Sequence, residues 1–217
     1  WNAYWQMYAE VITHDLAGKR VLVVGCGFGD DALRVAKLGA NVSAFDLSPE
    51  SLEIAAALAR RENLVVEFSQ MPAESLGYDS GSFDVVIARD ILHHVDIPLA
   101  MQEIQRVAKP GGLLILNEIY SHSITELVRR SGPVERLLYP AMQKYIYGGR
   151  KPYITKDERK LSESDIRQIT SKLHRISSTK YFNFLVTRLF PDRYDALAKV
   201  DRILLAMVGP FGRYLAG

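Results

Sequence analysis

The chain of 217 residues has one cysteine, Cys26. A disulfide framework is therefore excluded, and a reducing, cytoplasmic setting is the expectation. No apolar run approaches the ~18 residues that a membrane-spanning helix requires. There is no internal repeat, no low-complexity linker and no secretory signal, and the opening "WNAYWQMYAEV" reads as a trimmed start. No Gly-Lys-Ser/Thr follows the glycine-rich stretch near residue 25, which excludes a Walker-type phosphate loop. No cluster with metal-ligand spacing stands out beyond His93-His94, so no metal is expected.

Charge of one sign is scarce overall, with 27 Lys/Arg against 25 Asp/Glu and a net of +2. The halves differ. Residues 1–120 carry 9 basic against 16 acidic side chains, a net of −7; residues 121–217 carry 18 against 9, a net of +9. The first half suits a cation, the second an anion or an anionic surface. The alternative is solvated charge without a partner.

What is present is a rhythm. A short β-branched run at residues 20–25 precedes glycines and predicts a buried strand, followed by a helix over residues 30–38 that stops at Gly39. Residues 41–46, 64–69, 83–88 and 113–119 predict four further strands. Ser48-Pro49 supplies an N-cap and a first-turn proline for a helix reaching about residue 63. A helix over residues 96–108 is broken by Lys109–Gly112. Strands alternating with helices predict an α/β fold with a doubly wound, mostly parallel Rossmann-like sheet, whose ligands sit at the carboxyl ends of the strands. One domain is expected: an N-terminal helical cap (1–19), a cofactor-binding core (20–120), a helical insertion (121–176) before a sixth strand, and a C-terminal strand and helix (177–217). Ser162 and Asp165 are spaced as a near capping box.

The stretch "VLVVGCGFGDDAL" at residues 21–33 sets the ligand. Gly25, Gly27 and Gly29 let backbone approach a ligand closely. A dinucleotide fingerprint needs a small residue at position 30, where Asp30 stands, and Asp30 and Asp31 would repel a pyrophosphate. The ligand read from this turn is nucleoside-like, without phosphates and cationic, as S-adenosylmethionine is. Asp46 lies 21 positions after Gly25 at the end of the second strand, where a carboxylate can accept from both ribose hydroxyls. The alternative for Asp46 is a helix-entry aspartate. The Cys26 thiol reads as packing, since nothing near it in sequence would activate it.

These residues resemble the class I S-adenosylmethionine-dependent methyltransferases, particularly the small-molecule branch with the ubiquinone and menaquinone methyltransferases. "VLVVGCGFG" is similar to that family's first motif and "AFDLSPESLEIA" to its ribose-binding segment. "MPAESLGYDSGSFDVVIARDILHHV" resembles the stretch that covers the adenine, and "EIQRVAKPGGLLILNE" the helix and fifth strand. The resemblance covers about residues 20–118 and implies methyl transfer from S-adenosylmethionine, with S-adenosylhomocysteine as product. It implies that Gly25, Gly27 and Gly29 line the methionine and ribose portions, with Cys26 in the same turn. Asp46 would bind the ribose, Leu47 would lie against the adenine, Ala73 and Glu74 at its edge, and Arg89 near the methionine part. Val23 and Pro72 depart from the family, which often carries acidic residues at both positions.

Methyl transfer from a sulfonium needs alignment of the acceptor and, for a hydroxyl, removal of a proton. His93, His94 and Glu118 are the catalytic candidates, beside Asp90 and Tyr120. Packing is the alternative for the histidines, and helix capping for Glu118. Tyr139, Tyr145, Tyr147 and Tyr153 cluster with Arg136, Lys144, Arg150 and Lys151 in the insertion. They suit a small aromatic, polyketide-like or acyl acceptor with an anionic group; core, a dimer contact or peripheral membrane contact are the alternatives. Trp1 and Trp5, and Tyr4 and Tyr8, are spaced to share one face of an N-terminal helix. An RNA methyltransferase and a non-catalytic S-adenosylmethionine-binding subunit are the competing functions, although no RNA-binding module stands out. The sixth strand is expected over residues 177–188. The chain is expected to continue past Gly217 by one strand of ~8–12 residues.

Overall fold

The run from Arg20 forms β1 (Arg20–Val24), in which Val21, Leu22, Val23 and Val24 are all buried. Burial on both faces is what a central parallel strand requires. β2 (Asn41–Asp46) repeats that pattern, and β3 (Val66–Gln70) is half-buried. β4 (Phe83–Arg89) and β5 (Ala108–Asn117) complete a sheet of order β3-β2-β1-β4-β5, every pair of it parallel. The strand order reverses between β1 and β4, so a switch-point crevice opens at their carboxyl ends. The computed structural model describes residues 3–120, 122, 127, 131–138, 140, 160–181, 195–208, 211 and 214.

Three crossover helices follow the expected signals. α2 (Asp30–Lys37) opens directly after Gly29. α3 (Pro49–Arg61) is capped by Ser48, whose Oγ accepts from the Ser51 N–H at 3.1 Å. α4 (Ile97–Val107) is capped by Asp96, which accepts from the Leu99 N–H at 3.1 Å. It buries Ile97, Ala100, Met101, Ile104 and Val107, each apolar side chain larger than alanine contributing roughly 1.5–3 kcal/mol.

The expected break at Lys109–Gly112 is instead part of β5, which starts five residues earlier than the sequence suggested. The register shifts there, Phe83 facing Ala108 while Val85 faces Leu113. A Cβ on Gly112 would meet the Lys109 and Asp84 carbonyl oxygens at 2.9 and 3.2 Å. The glycines mark a bulge rather than a loop.

The chain forms two compact units, Met7–Glu118 with Gln168–Lys172, and Trp1–Gln6 with Ile119–Arg167 and Leu173–Gly217. The first holds the sheet. In the second, Tyr120 and Leu161 form an isolated parallel bridge, with the Leu161 N–H on the Ile119 carbonyl at 2.9 Å. α5 (Glu163–Ser171) begins with the expected box: the Ser162 N–H donates to Asp165 Oδ2 at 2.8 Å and the Asp165 N–H to Ser162 Oγ at 3.3 Å. A π-helical turn spans Val134–Leu138, and α6 covers Asp195–Val208.

In α1 (Ala3–Val11), Tyr4 packs edge-on against Trp5 at 5.1 Å, while Tyr8 is buried. Residues 177–181 of the expected sixth strand are not in a strand. Its remainder lies outside the described residues, as do Trp1, Tyr139, Lys144, Tyr145, Tyr147, Arg150, Lys151 and Tyr153. Among the described residues no helix is long and apolar enough to cross a membrane.

Candidate cofactor-binding site

β1 delivers the chain into a turn in which Gly25, Gly27 and Gly29 have φ of 62°, 49° and 85°. They serve different ends. A Cβ on Gly25 would lie 2.6 Å from the Ile91 side chain, and one on Gly29 2.8 Å from the Ala55 Cβ, so both are packing glycines. Among the described residues, a Cβ on Gly27 would meet nothing within 4 Å. Gly27 thus shows its bare backbone to open space at the switch point.

Asp46, the last residue of β2, is fastened to that glycine. Its Oδ2 accepts from the Gly27 N–H at 2.7 Å and its Oδ1 from the Ser48 N–H at 3.0 Å. The carboxylate is thereby fixed in place with lone pairs remaining on both oxygens. Leu47, next in the chain, is 65% exposed, an apolar side chain set out beside the carboxylate. Cys26 is buried, and that burial, with the negative charge of Asp46 adding, pushes its thiol up to about 12. The thiol is packing, as the sequence suggested.

The segment between β3 and β4 carries Ala73 and Glu74. Ala73 is buried, and Glu74 Oε1 accepts from the Asp96 N–H at 2.9 Å at the head of α4. A second clamp holds this segment from α4. Arg106 donates to the Tyr78 and Leu76 carbonyls at 2.7 and 2.8 Å, and Glu103 accepts from the Leu76 N–H at 2.8 Å. The hydrogen bonds from Arg106 to Glu103 hold the latter's carboxyl down at about 2. The clamp was not anticipated; its only sequence signal is the i,i+3 spacing of opposite charges.

Asp30 and Asp31 do not act alike. Asp30 pairs with Arg34 at 3.1 Å on the surface. Asp31 is buried; it accepts from the Tyr8 hydroxyl and, at 2.7 Å, from Arg89 Nε. Burial lowers the Arg89 pKa, but the hydrogen bond and charge of Asp31 outweigh it and shift the guanidinium upward. The expected repulsion of a pyrophosphate by both carboxylates is therefore corrected: the Asp31 charge is matched by Arg89. The signal was an acid four positions before the buried Val35, on the buried side of α2.

Beyond β4 the chain turns through Asp90, whose φ of 52° is left-handed. Burial and the nearby Glu118 charge raise its carboxyl pKa. Glu118 Oε1 accepts from the Ile91 and Leu92 N–H groups at 2.9 and 2.7 Å, and Oε2 lies 2.8 Å from His93 Nδ1. His93 and Glu118 side chains are 3% and 7% exposed. Glu118 caps the short 3-10 turn Leu92–His94, and His93 packs beneath it. His94 is exposed, its ring 4.0 Å from that of His93. Tyr120 falls in the second unit, its ring 5.8 Å from that of Tyr181.

The 3-2-1-4-5 parallel sheet with flanking helices, reversing beside Gly27 and the Asp46 carboxylate, is a Rossmann-like α/β fold. The comparisons with known proteins agree. Residues 22–116 match the family model described as a methyltransferase domain. The chain is 40% identical over 107 residues to the ubiquinone biosynthesis O-methyltransferase of Xanthomonas oryzae pv. oryzae, covering 48% of this chain and 45% of that protein. The chain thus spans about half the length of the curated relatives it matches. Among solved structures, the YcgJ protein from Bacillus subtilis superposes with a TM-score of 0.63 at 21% identity, over 95% of this chain and 84% of that one. The [4+2]-cyclase SpnF superposes with a TM-score of 0.60 at 25% identity, over 95% and 68%. Residues 22–116 thus resemble a methyltransferase domain, and the fold is that of these solved structures.

Proposed function

We propose that this domain binds S-adenosylmethionine over Gly27 and transfers its methyl group to an oxygen of a small organic acceptor. The observation that carries the reading is the open face of Gly27 beside the fixed Asp46 carboxylate. Asp46 would take the ribose hydroxyls, and Gly25, Cys26, Gly27 and Gly29 the nearby backbone contacts. Leu47 would cover the adenine, with Ala73 and Glu74 at its edge, and Arg89 would flank the amino-acid end. When bound, S-adenosylmethionine supplies an activated methyl group on its sulfonium. Oxygen as the methylated atom is supported by the name of the Xanthomonas relative, an O-methyltransferase.

The chain's own task is then to orient the acceptor and to take the proton its hydroxyl gives up as the new C–O bond forms. Glu118 and His93 are engaged with each other and with the turn, which suits them to positioning it. His94 presents the exposed imidazole, and we assign the proton to it. The test is calorimetry with S-adenosylmethionine and S-adenosylhomocysteine, followed by turnover with a pool of phenols and hydroxy acids. Micromolar binding and release of S-adenosylhomocysteine are expected. His94→Ala is expected to lower kcat about 100-fold with cofactor affinity unchanged. Absence of cofactor binding would remove the whole reading; an unchanged kcat would remove His94 alone.

A further inference from the structure

The second unit contains a cavity of about 680 Å³ that the reading above does not use. Its lining includes Tyr120, His122, Glu163, Arg167, Tyr181 and Tyr214. Two ring pairs furnish its flat surfaces. Tyr120 and Tyr181 lie 5.8 Å apart, and Tyr214 stands edge-on to His122 at 4.6 Å. Its polar groups include, beside the tyrosine hydroxyls, His122, Glu163, Ser164 and Arg167. His122 is buried, with Nε2 3.0 Å from Glu163 Oε1. Arg167 follows Glu163 by one helical turn, so α5 sets both on one side of itself.

The volume lies within the range of sites for small molecules, and its lining joins aromatic rings to charged and hydroxyl groups, which suits a polar aromatic ligand. The ring faces select a planar ligand. The acid–imidazole pair suits a hydroxyl, because it offers an acceptor and a donor together. The guanidinium selects an anion; with five N–H donors it can take a carboxylate beside the contacts it already makes. The net of +9 over residues 121–217 has the matching sign.

We infer that this cavity binds an aromatic carboxylate of one or two rings, with the carboxylate on Arg167 and a ring hydroxyl toward the His122–Glu163 pair. The binding does not rest on the methyltransferase reading.

The test is calorimetry on the full chain with benzoate, 4-hydroxybenzoate and 2-naphthoate, each beside its amide. S-adenosylhomocysteine binding is measured in every variant as the check on folding. The acids are expected to bind about tenfold tighter than the amides, and 4-hydroxybenzoate tighter than benzoate. Arg167→Gln is expected to erase the preference for acid over amide. Glu163→Gln is expected to erase the preference for the hydroxyl. Tyr181→Ala should weaken acid and amide alike by about tenfold. Failure of all three acids to bind at millimolar concentration, or an acid preference that survives Arg167→Gln, overturns the inference. If S-adenosylhomocysteine binds and the acids do not, the methyltransferase reading stands and the cavity assignment falls. If the acids bind with these preferences and S-adenosylhomocysteine does not, the reverse holds.

Discussion

At the scale of the residue, the three glycines of one turn differ in the room they leave: a Cβ on Gly25 or Gly29 would clash, and one on Gly27 would meet nothing among the described residues. Gly25→Ala forces a Cβ into the Ile91 side chain at 2.6 Å and adds a left-handed penalty. It should cost about 3 kcal/mol of stability. Gly27→Ala carries only the left-handed penalty, about 1 kcal/mol, because its Cβ would meet nothing among the described residues. Under the proposed reading, Gly27→Ala should lose S-adenosylmethionine binding, since the new methyl group would stand where that reading puts the ligand. Urea unfolding and calorimetry on the two variants check this; equal losses of stability would remove the distinction. Asp46→Ala should weaken S-adenosylmethionine binding by about 2–4 kcal/mol with the fold intact. Calorimetry showing unchanged affinity would detach Asp46 from the ribose.

At the scale of the element, the Glu103–Arg106 clamp on α4 holds the segment bearing Ala73 and Glu74. Glu103 sits at about 2 in the folded chain, against ~4.3 for a free glutamate. Its contribution is fully present above pH ~4.3 and is lost as pH falls through about 2. Glu103→Gln should therefore cost about 1 kcal/mol at pH 7, with the difference from the parent shrinking below pH ~4.3. Urea titrations at a series of pH values measure it; a difference that is constant down to pH 2 would refute the assignment.

That clamp also marks what could be read from the sequence. The buried run of β1, the Ser48-Pro49 start of α3 and the Ser162–Asp165 box were legible because each is written within a few residues. The start of β5 was misread because Lys109–Gly112 carries a loop's composition, while a bulge keeps it in the ladder. The glycine turn and Asp46 were legible as a pair through their spacing. Arg89 on Asp31 and His122 on Glu163 were not, because periodicity shows that a position faces inward but not which distant side chain it meets.

At the scale of the whole molecule, the sheet is built from non-local pairings. β1 acquires one neighbour in β2, but its other edge waits for β4, where Val21 lies opposite Val85, 64 positions later. A ribosome adding roughly 5–20 residues per second needs about 3–13 s to make that length. Through this interval the Val21–Val24 edge of the nascent chain has apolar side chains and no partner on one side, which invites pairing with other chains. Stalled chains that expose residues only through position 82 should be cleaved readily by protease and retained by chaperones. Chains exposing residues through 118 should resist both. Equal protection at the two lengths would mean that the first three strands close on themselves before the fourth is made. Crowded polysomes are then where this protein is most exposed to aggregation, and slower initiation on its message should raise the soluble yield.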